Sequence, residues 1–355
     1  MDRKRLKESV GRIAAGAVSG QTPGFALMMA KDGEVLLSEG YGMADLEHGI
    51  PIRPDDNFII ASNTKQFTCV AILMLMSRGL LELDEPIERF FPDFPDYRKY
   101  VTIRQMMCHT TGIREYFEEG FRENEEALRT ADTAALLDIV RGFGPLEFEP
   151  DTKFSYCNSA YVMLGDIVRQ LTGKPFGRFL EEEIFAPLGM ERTFAPDYMD
   201  VRDPYQVQGY EKQADGTFRR MPYDMLMVGY ADGNISSNTA DLLKWHHYLY
   251  ESDSDLLLPR AVLNTAFEPH RLKDGSLSPY GFGFFLGECA GTHSKTYPGH
   301  REIWHTGGTM GFISRCSRFV DERVSVTMLT NYEGIQRDEL FFPMLDVLFE
   351  ELDRP

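Results

Sequence analysis

One segment of the chain strongly limits the folds that the protein can adopt. Residues 67–76 read FTCVAILMLM, which on a helix leaves no polar face. A helix that is apolar all round either is buried in the core of a large protein or spans a membrane. The run is shorter than the ~20 residues that a membrane span needs. We therefore predict a central helix surrounded by other layers, which a chain of 355 residues can supply.

The two ends of the chain carry the same hairpin pattern. Near the start, FALMMAKDGEVLLSEGYG places two β-prone runs around Asp32 and Gly33, a strong hairpin signal. Near the end, GFISRCSRFVDERVSVTMLTN repeats this arrangement. An amphipathic helix precedes the first hairpin (residues 5–18), and another follows the second (residues 338–352). We predict one antiparallel sheet built from both termini and covered by helices.

The middle of the chain is richer in helical patterns, for example YVMLGDIVRQLTG and TADLLKWHHYLY. The predicted class is α/β in the α+β sense, an antiparallel sheet flanked by helices with an adjoining, mostly helical region. The predicted division assigns residues 1–66 plus 275–355 to the sheet domain and residues 67–274 to the helical region. Part of the helical region is expected to pack with the sheet domain.

Charge and composition narrow the partners and the compartment. The chain has 37 Lys+Arg against 55 Asp+Glu, a formal net charge of −18, which repels nucleic acid and anionic lipid headgroups. The N-terminus lacks the apolar stretch of a signal peptide, and no apolar run is long enough for a membrane span. The five cysteines are scattered and contain no C-x-x-C, as expected of reduced thiols. These features favour a cytoplasmic protein with no nucleic-acid partner and no membrane span, and they specify no oligomeric state.

The first chemical motif is S-x-x-K, formed by Ser62 and Lys65 just before the apolar helix. Residues three apart on a helix share a face, so the hydroxyl and the amine can meet there. A serine becomes nucleophilic when a base takes its proton, and burial lowers the pKa of a lysine enough to make it such a base. The alternative is that Ser62 or Asn63 caps the helix while Lys65 extends to water.

Two further motifs follow in the chain. FSYCNSAYVMLG contains the only Y-x-N, so that Tyr156 can relay a proton and Asn158 can bind Lys65 and a substrate carbonyl. IWHTGGTMGF reads as a strand that runs into Gly307 and Gly308, where a substrate backbone can approach and an N–H can point at its carbonyl. Taken singly, Tyr156 is explained by packing and the glycines by a bulge.

Together the three motifs resemble those of a superfamily of serine hydrolases. It includes class C β-lactamases, low-molecular-weight penicillin-binding proteins, D-aminopeptidases and family VIII esterases, whose signature is S-x-x-K, Y-x-N and then K-T-G or H-x-G. The segments MMCHTTGI, FAPLGMERT and YGFGF are also similar to segments of this superfamily, and the likeness covers about residues 25–331. The resemblance implies the β-lactamase-like fold, which agrees with the predicted class.

The resemblance also implies roles for individual residues. Ser62 would be the acylated nucleophile, and Lys65 and Tyr156 would share the general-base and general-acid work, with either one as the base. Asn158 would orient Lys65 and the substrate. The backbone N–H groups of Ser62 and Gly308 would form the oxyanion hole. Acyl-enzyme chemistry of this kind needs no metal and no organic cofactor.

His305 is expected at the edge of the cleft, where many relatives carry the lysine of K-T-G. Because imidazole is largely neutral at pH 7, a fixed cation for a substrate carboxylate is missing. This favours an esterase, or an amidase of D-aminopeptidase type, on small acyl substrates over a β-lactamase or a D-Ala-D-Ala peptidase. His305 is expected to gain charge as the pH falls towards about 6.5 and then to improve the binding of carboxylates. If carboxylates bind regardless of pH, Arg315 is the alternative cation.

Two alternatives stay open at this stage. His109 and Thr110 either line the cleft or cap a helix. The chain can also be a non-catalytic sensor or scaffold of the same fold, although the complete set of motif residues argues against it. His246 and His247 are adjacent on a predicted helix and point in different directions, so no metal site is expected there.

Overall fold

The computed structural model of the chain describes residues 1–116, 132–196, 205–222, 230–287 and 295–354. The α-helices are α1 Arg3–Ala17, α2 Thr64–Ser77, α3 Ile103–Met107, α4 Thr133–Gly142, α5 Asn158–Thr172, α6 Phe176–Leu180, α7 Tyr230–Gly233, α8 Thr239–His246, α9 Arg260–Asn264 and α10 Arg337–Leu352. The strands are β1 Phe25–Lys31, β2 Glu34–Tyr41, β3 Met43–Asp45, β4 Ile50–Pro51, β5 Phe58–Ile59, β6 Tyr210–Lys212, β7 Phe218–Arg220, β8 Ser236–Ser237, β9 Glu302–Thr309, β10 Phe312–Phe319, β11 Val324–Thr330 and β12 Tyr332–Glu333.

Both ends of the chain contribute to one five-stranded antiparallel sheet. Its strand order is β2-β1-β11-β10-β9, so the first hairpin and the second hairpin meet where β1 pairs with β11. The predicted turn at Asp32 and Gly33 joins β1 to β2, and both residues have positive φ (52° and 78°), as a tight two-residue hairpin turn requires. The predicted antiparallel sheet is therefore present.

Helices α1 and α10 cover the outer face of the sheet. The apolar side chains of α1 (Leu6, Val10, Ala14) and of α10 pack with alternate residues of β1 and β11 in one buried cluster. An ion pair between Arg5 and Glu351 links the two helices at 2.7 Å. The observed helices begin one or two residues before the predicted ones, at Arg3 and Arg337, because the N-cap side chain of Asp2 and the turn before α10 lie outside the apolar pattern.

The central helix α2 packs among helices α5, α7 and α9. Every residue of α2 from Thr64 to Leu75 is buried, as its composition predicts. Phe67 stacks on Trp245 of α8 with 4.2 Å between ring centroids, and α5 packs along the other side of α2. Helix α8 in turn contacts β1 and β11, so part of the predicted helical region packs on the sheet.

The fold brings strands from distant parts of the chain to the N-terminal end of α2. Strand β9, at the edge of the sheet, runs beside the 3-10 turn Ala61–Asn63 that leads into α2. The short strand β5 before this turn pairs with β8. Strand β9 continues in regular register through Gly307 and Gly308, so the glycine pair does not form a bulge. The domain boundaries at residues 66 and 275 stay predictions.

Candidate active site

The turn that carries Ser62 is held in an unusual backbone conformation. Ala61 has φ +47°, the left-handed region that a residue with a Cβ rarely adopts. The backbone on either side is fixed, because the Ile60 N–H donates to the Ile235 carbonyl at 2.9 Å and the Ser314 hydroxyl donates to the Ile60 carbonyl at 2.7 Å. Ser62 follows this strained residue at the start of α2 and is partly exposed.

A chain of buried side-chain hydrogen bonds supports the same turn. The Trp245 indole N–H donates to Gln66 (3.0 Å), the Gln66 amide donates to Asn63 (2.9 Å), and the Asn63 amide donates to Ser314 Oγ (2.8 Å). Each link joins a different element, so α8, α2 and β10 are locked to one another next to Ser62. Trp245, Gln66 and Ser314 were not singled out from the sequence, because Trp245 and Ser314 lie far from this turn in the chain and leave no local pattern.

Lys65 is completely buried and bonded at three points. Its Nζ lies 3.2 Å from Ser62 Oγ, 2.7 Å from Asn158 Oδ1 and 2.7 Å from the Asp232 carbonyl oxygen. The alternative in which Lys65 extends to water is therefore wrong, and Asn63 makes no side-chain cap. The geometry brings together the amine, the hydroxyl and the amide that the motifs predicted.

Burial lowers the pKa of Lys65 from its ordinary value to about 8, and the carboxylates of Asp232 and Glu115 oppose the shift. Removing an ammonium from water disfavours its charged form, while a nearby carboxylate favours it. A substantial fraction of neutral amine is therefore present at mildly alkaline pH, directly beside the Ser62 hydroxyl.

The Tyr156 ring lies close to the Lys65 amine. The Lys65 nitrogen is 4.9 Å from the centroid of the Tyr156 ring. Burial raises the pKa of Tyr156 well above its ordinary value, although the nearby Ser62 hydroxyl opposes this shift. The Tyr156 hydroxyl makes no hydrogen bond of regular geometry with the described residues. Tyr156 is therefore a neutral phenol close to Ser62 whose hydroxyl can still donate or accept a hydrogen bond.

Asn158 is the first residue of helix α5, which explains how its amide reaches Lys65. Its backbone N–H, one of the unpaired donors at a helix start, donates to the Glu115 carboxylate at 2.5 Å. Its side-chain oxygen accepts from Lys65. With Oδ1 bound to the amine, the side-chain NH₂ is the remaining polar group of the Asn158 amide and is a hydrogen-bond donor.

His305 does not behave as the sequence predicts. It is buried on strand β9, and the Tyr280 hydroxyl lies 2.8 Å from Nε2 while Nδ1 lies 2.6 Å from the Thr306 carbonyl. A carbonyl can only accept, so Nδ1 carries the proton and Nε2 accepts from Tyr280. Burial and the charge of Lys65 lower the pKa of His305 to about 3. The predicted gain of charge near pH 6.5 is therefore wrong.

Arg315 is also not a cation for the cleft. Its guanidinium is fully buried and forms ion pairs with Glu302 (2.8 Å) and Asp338 (3.1 Å). A different arginine, Arg337 at the start of α10, is close enough to His305 to contribute to its lowered pKa. Arg337 is bound to Asp338 at 2.9 Å.

The two glycines of β9 serve different purposes. A Cβ on Gly307 would lie 2.2 Å from the Ile60 carbonyl oxygen, so only glycine lets β9 approach the turn that carries Ser62. A Cβ on Gly308 would meet nothing within 4 Å, and this glycine is exposed. Gly308 therefore borders open space beside the Ser62 turn.

Asp232 is a site residue that the sequence reasoning missed. Its carbonyl binds Lys65, its carboxylate accepts from the Tyr116 hydroxyl at 2.9 Å, and its Oδ1 is buried without a hydrogen-bond partner among the described residues. Burial raises the pKa of Asp232 and Lys65 opposes the shift. The segment YADGN looks like an ordinary turn in the sequence, which is why Asp232 went unnoticed.

Within the described ranges, no group of three or more His, Cys, Asp and Glu side chains could hold a metal ion. The helices of those ranges also include none that is long and apolar enough to cross a membrane. The cysteines at 69, 108, 157 and 316 are buried free thiols, and Cys289 lies outside the described residues.

A comparison with protein families decides the relationship. The sequence profile described as Beta-lactamase matches residues 7–342. The chain belongs to the beta-lactamase family. The predicted resemblance and the predicted β-lactamase-like fold are thereby confirmed, as is the general class of serine hydrolase. The roles of the individual residues stay predictions.

Several known proteins are similar to this chain. Penicillin-binding protein 4* of Bacillus subtilis is 27% identical over 86% of this chain and 68% of its own length. A D-aminopeptidase of Brucella anthropi is 29% identical over 92% of this chain and 59% of its own length, so this chain spans about three fifths of that relative. The octameric penicillin-binding protein homologue of Pyrococcus abyssi superposes with a TM-score of 0.81 at 23% identity, covering 99% of this chain and 78% of that one, which shows the shared fold.

Proposed function

We propose that this protein hydrolyses small esters or amides through an acyl-enzyme on Ser62. The observation that carries the proposal is the buried Lys65 amine, 3.2 Å from Ser62 Oγ and with a pKa lowered to about 8. Of the two candidate bases, Lys65 is the better one, because burial raises the pKa of Tyr156 well above its ordinary value and disfavours a phenolate.

The proposed reaction has two steps. Neutral Lys65 takes the Ser62 proton while Oγ bonds to the substrate carbonyl carbon, and the backbone N–H groups of Ser62 and Gly308 stabilise the oxyanion. When the bond to the leaving group breaks, that group receives a proton from the Lys65 ammonium through the Tyr156 hydroxyl. Water then attacks the acyl carbon while Lys65 takes a proton from it. The bond to Ser62 Oγ breaks, Oγ receives that proton, and the carboxylic acid leaves.

The charges around the site support uncharged or amine-bearing acyl substrates. The carboxylates of Asp232 and Glu115 act on Lys65, His305 is neutral, and Arg315 is held in buried ion pairs. A substrate carboxylate would meet an unfavourable potential here, whereas an amine would not. This supports an esterase or an amidase of D-aminopeptidase type, the activity in the name of one relative.

A second candidate is a β-lactamase or D-Ala-D-Ala peptidase. The observation in its favour is Arg337, a cation near His305 that could meet a substrate carboxylate if it left Asp338. A panel of chromogenic short-chain esters, D-aminoacyl anilides and nitrocefin separates the two, since only the second candidate predicts that nitrocefin is the best substrate.

The acyl-enzyme itself is tested by labelling with a fluorophosphonate followed by intact-mass and peptide analysis. We expect one adduct, on the peptide that contains Ser62. Ser62→Ala should abolish the adduct, and Ser77→Ala, at the other end of α2, should not. A protein that takes no label and turns over nothing in the panel would be the non-catalytic scaffold instead.

A further inference from the structure

His109 is the buried histidine nearest to Tyr156 that the proposed chemistry leaves unused. It is fully buried, and its φ of +59° places it in the left-handed region. That conformation is uncommon for a residue with a Cβ, so contacts with the surrounding structure must hold His109 in it. The hydrogen bonds of His109 identify these contacts.

His109 bonds to the chain on both sides of Tyr156. Its carbonyl accepts from the Ser155 N–H at 2.9 Å, and its ring Nδ1 accepts from the Cys157 N–H at 3.0 Å. The imidazole also lies against the Tyr156 ring, with 4.2 Å between centroids and 30° between planes. One residue therefore fixes the backbone before Tyr156, the backbone after it and the face of its ring.

The protonation of His109 suits this arrangement. Because Nδ1 accepts a hydrogen bond, the proton of the neutral ring is on Nε2, which is buried without a partner among the described residues. Burial and the charge of Lys65 lower the pKa of His109 well below its ordinary value. A protonated ring could not accept a hydrogen bond from the Cys157 N–H. By keeping the ring neutral, burial preserves Nδ1 as the acceptor.

The loop behind His109 is itself fixed. The Asp151 N–H donates to the Thr110 carbonyl (2.9 Å), and the Thr110 hydroxyl donates to the Asp151 carboxylate (2.7 Å). Gly112, next in the loop, accepts from the Glu147 N–H at 2.8 Å. The stretch that leads to Tyr156 is therefore bonded to the His109 loop at Glu147, Asp151 and Ser155.

We propose that His109 is a positioning residue that holds Tyr156 and, two residues further on, Asn158 in register with Lys65. This inference rests on the proposed function, because it concerns the same reaction. His109 does not touch the reacting atoms and acts only through the segment that it binds. Its loss should slow acylation by roughly 10–100-fold, since small misplacements of catalytic groups carry costs of that size.

The test compares two substitutions at His109. In His109→Asn, Oδ1 occupies about the place of Nδ1 and can accept from Cys157, and asparagine tolerates positive φ. In His109→Gln the acceptor lies one carbon further out. We expect the rate constant for fluorophosphonate labelling of Ser62 to stay within about fivefold of wild type for Asn and to fall at least tenfold below it for Gln.

His246 provides the control, because it is equally buried, lies in α8 and has an Nδ1 without a described partner. His246→Gln should lower the melting temperature about as much as His109→Gln but leave the labelling rate constant within about twofold of wild type. The fraction of protein labelled at the end point is measured separately, since it reports how much is folded.

The outcomes separate the two proposals. Equal labelling rates for wild type and His109→Gln, or equal slowing in His109→Asn and His109→Gln, would overturn the positioning role. A His109→Gln protein that loses only end-point labelling, with an unchanged rate constant in the labelled fraction, would also overturn it. A wild-type protein that takes no label at Ser62 would instead refute the proposed function.

Discussion

The Tyr280 hydroxyl donates to Nε2 of His305 across 2.8 Å, while Nδ1 of the same ring binds the Thr306 carbonyl. Both nitrogens of His305 are therefore occupied, and the ring is held in one neutral tautomer inside the protein. His305 is thus part of the wall of the site rather than a charge in it.

The first prediction concerns the pH dependence of selectivity. Because burial and the charge of Lys65 lower the pKa of His305 to about 3, its charge does not change between pH 7.5 and 6. The ratio of kcat/KM for a carboxylate-bearing acyl substrate to that for its methyl ester should therefore stay constant within about twofold over this range. A ratio that rises several-fold towards pH 6 in wild type, and not in His305→Asn, would show that His305 does titrate there.

The second prediction concerns the pH dependence of the rate. In the proposed mechanism the neutral form of Lys65 is the base, and its fraction rises with pH through about 8. For an uncharged ester, kcat/KM should rise about tenfold per unit from pH 6 to 7.5 and level off above about 8.5. Lys65→Arg should remove the rise and most of the activity, because a guanidinium stays protonated. A flat profile in wild type would assign the base to another group.

The third prediction concerns Asp232. Its carboxylate raises the pKa of Lys65 against the effect of burial, so removing the charge should lower that pKa further. In Asp232→Asn the rise of kcat/KM should move to lower pH by at least half a unit, which makes the variant relatively more active near pH 6. The control is Asp166→Asn, a buried carboxylate on α5 that is bound to Arg169. The same displacement in both variants, or none in Asp232→Asn, would contradict the assignment.

The fourth prediction separates the two glycines of β9. Gly307→Ala places a methyl group 2.2 Å from the Ile60 carbonyl oxygen, so β9 must move away from the Ser62 turn. We expect a loss of about 1–3 kcal/mol in the free energy of unfolding, together with a lower kcat. Gly308→Ala meets nothing within 4 Å and should leave the melting temperature unchanged while raising KM for bulky acyl groups. The prediction is checked by urea unfolding and by measuring kcat and KM for both variants. Equal destabilisation of Gly307→Ala and Gly308→Ala would contradict it.

Local features of the sequence were enough to predict part of the site. Ser62 and Lys65 are three residues apart, and helix geometry alone places them on one face. The apolar composition of residues 67–76 required a buried helix, and burial is what lowers the pKa of Lys65. The turn at Asp32 and Gly33 defined the first hairpin for the same kind of reason, since its backbone conformation depends on those two residues.

The contacts of Lys65 beyond its own helix were decided by the tertiary structure. Asn158 and Asp232 reach the same nitrogen from positions 93 and 167 residues further along the chain, and their meeting depends on how α5 and α7 pack on α2. The Y-x-N motif drew attention to Asn158, but Asp232 lies in the short helix α7, whose sequence has no distinguishing pattern.

The charge of His305 shows most clearly what could not be predicted from the sequence. Its residue type implies a pKa near 6.5, and the sequence alone gives no reason to expect another value. Burial of strand β9 and the approach of Tyr280, 25 residues away in the chain, keep the ring neutral. The sequence by itself determined which chemical groups are present and how near neighbours in the chain are arranged. Only the tertiary structure decided their solvation and their distant partners, because desolvation and long-range contacts arise when separate elements pack together.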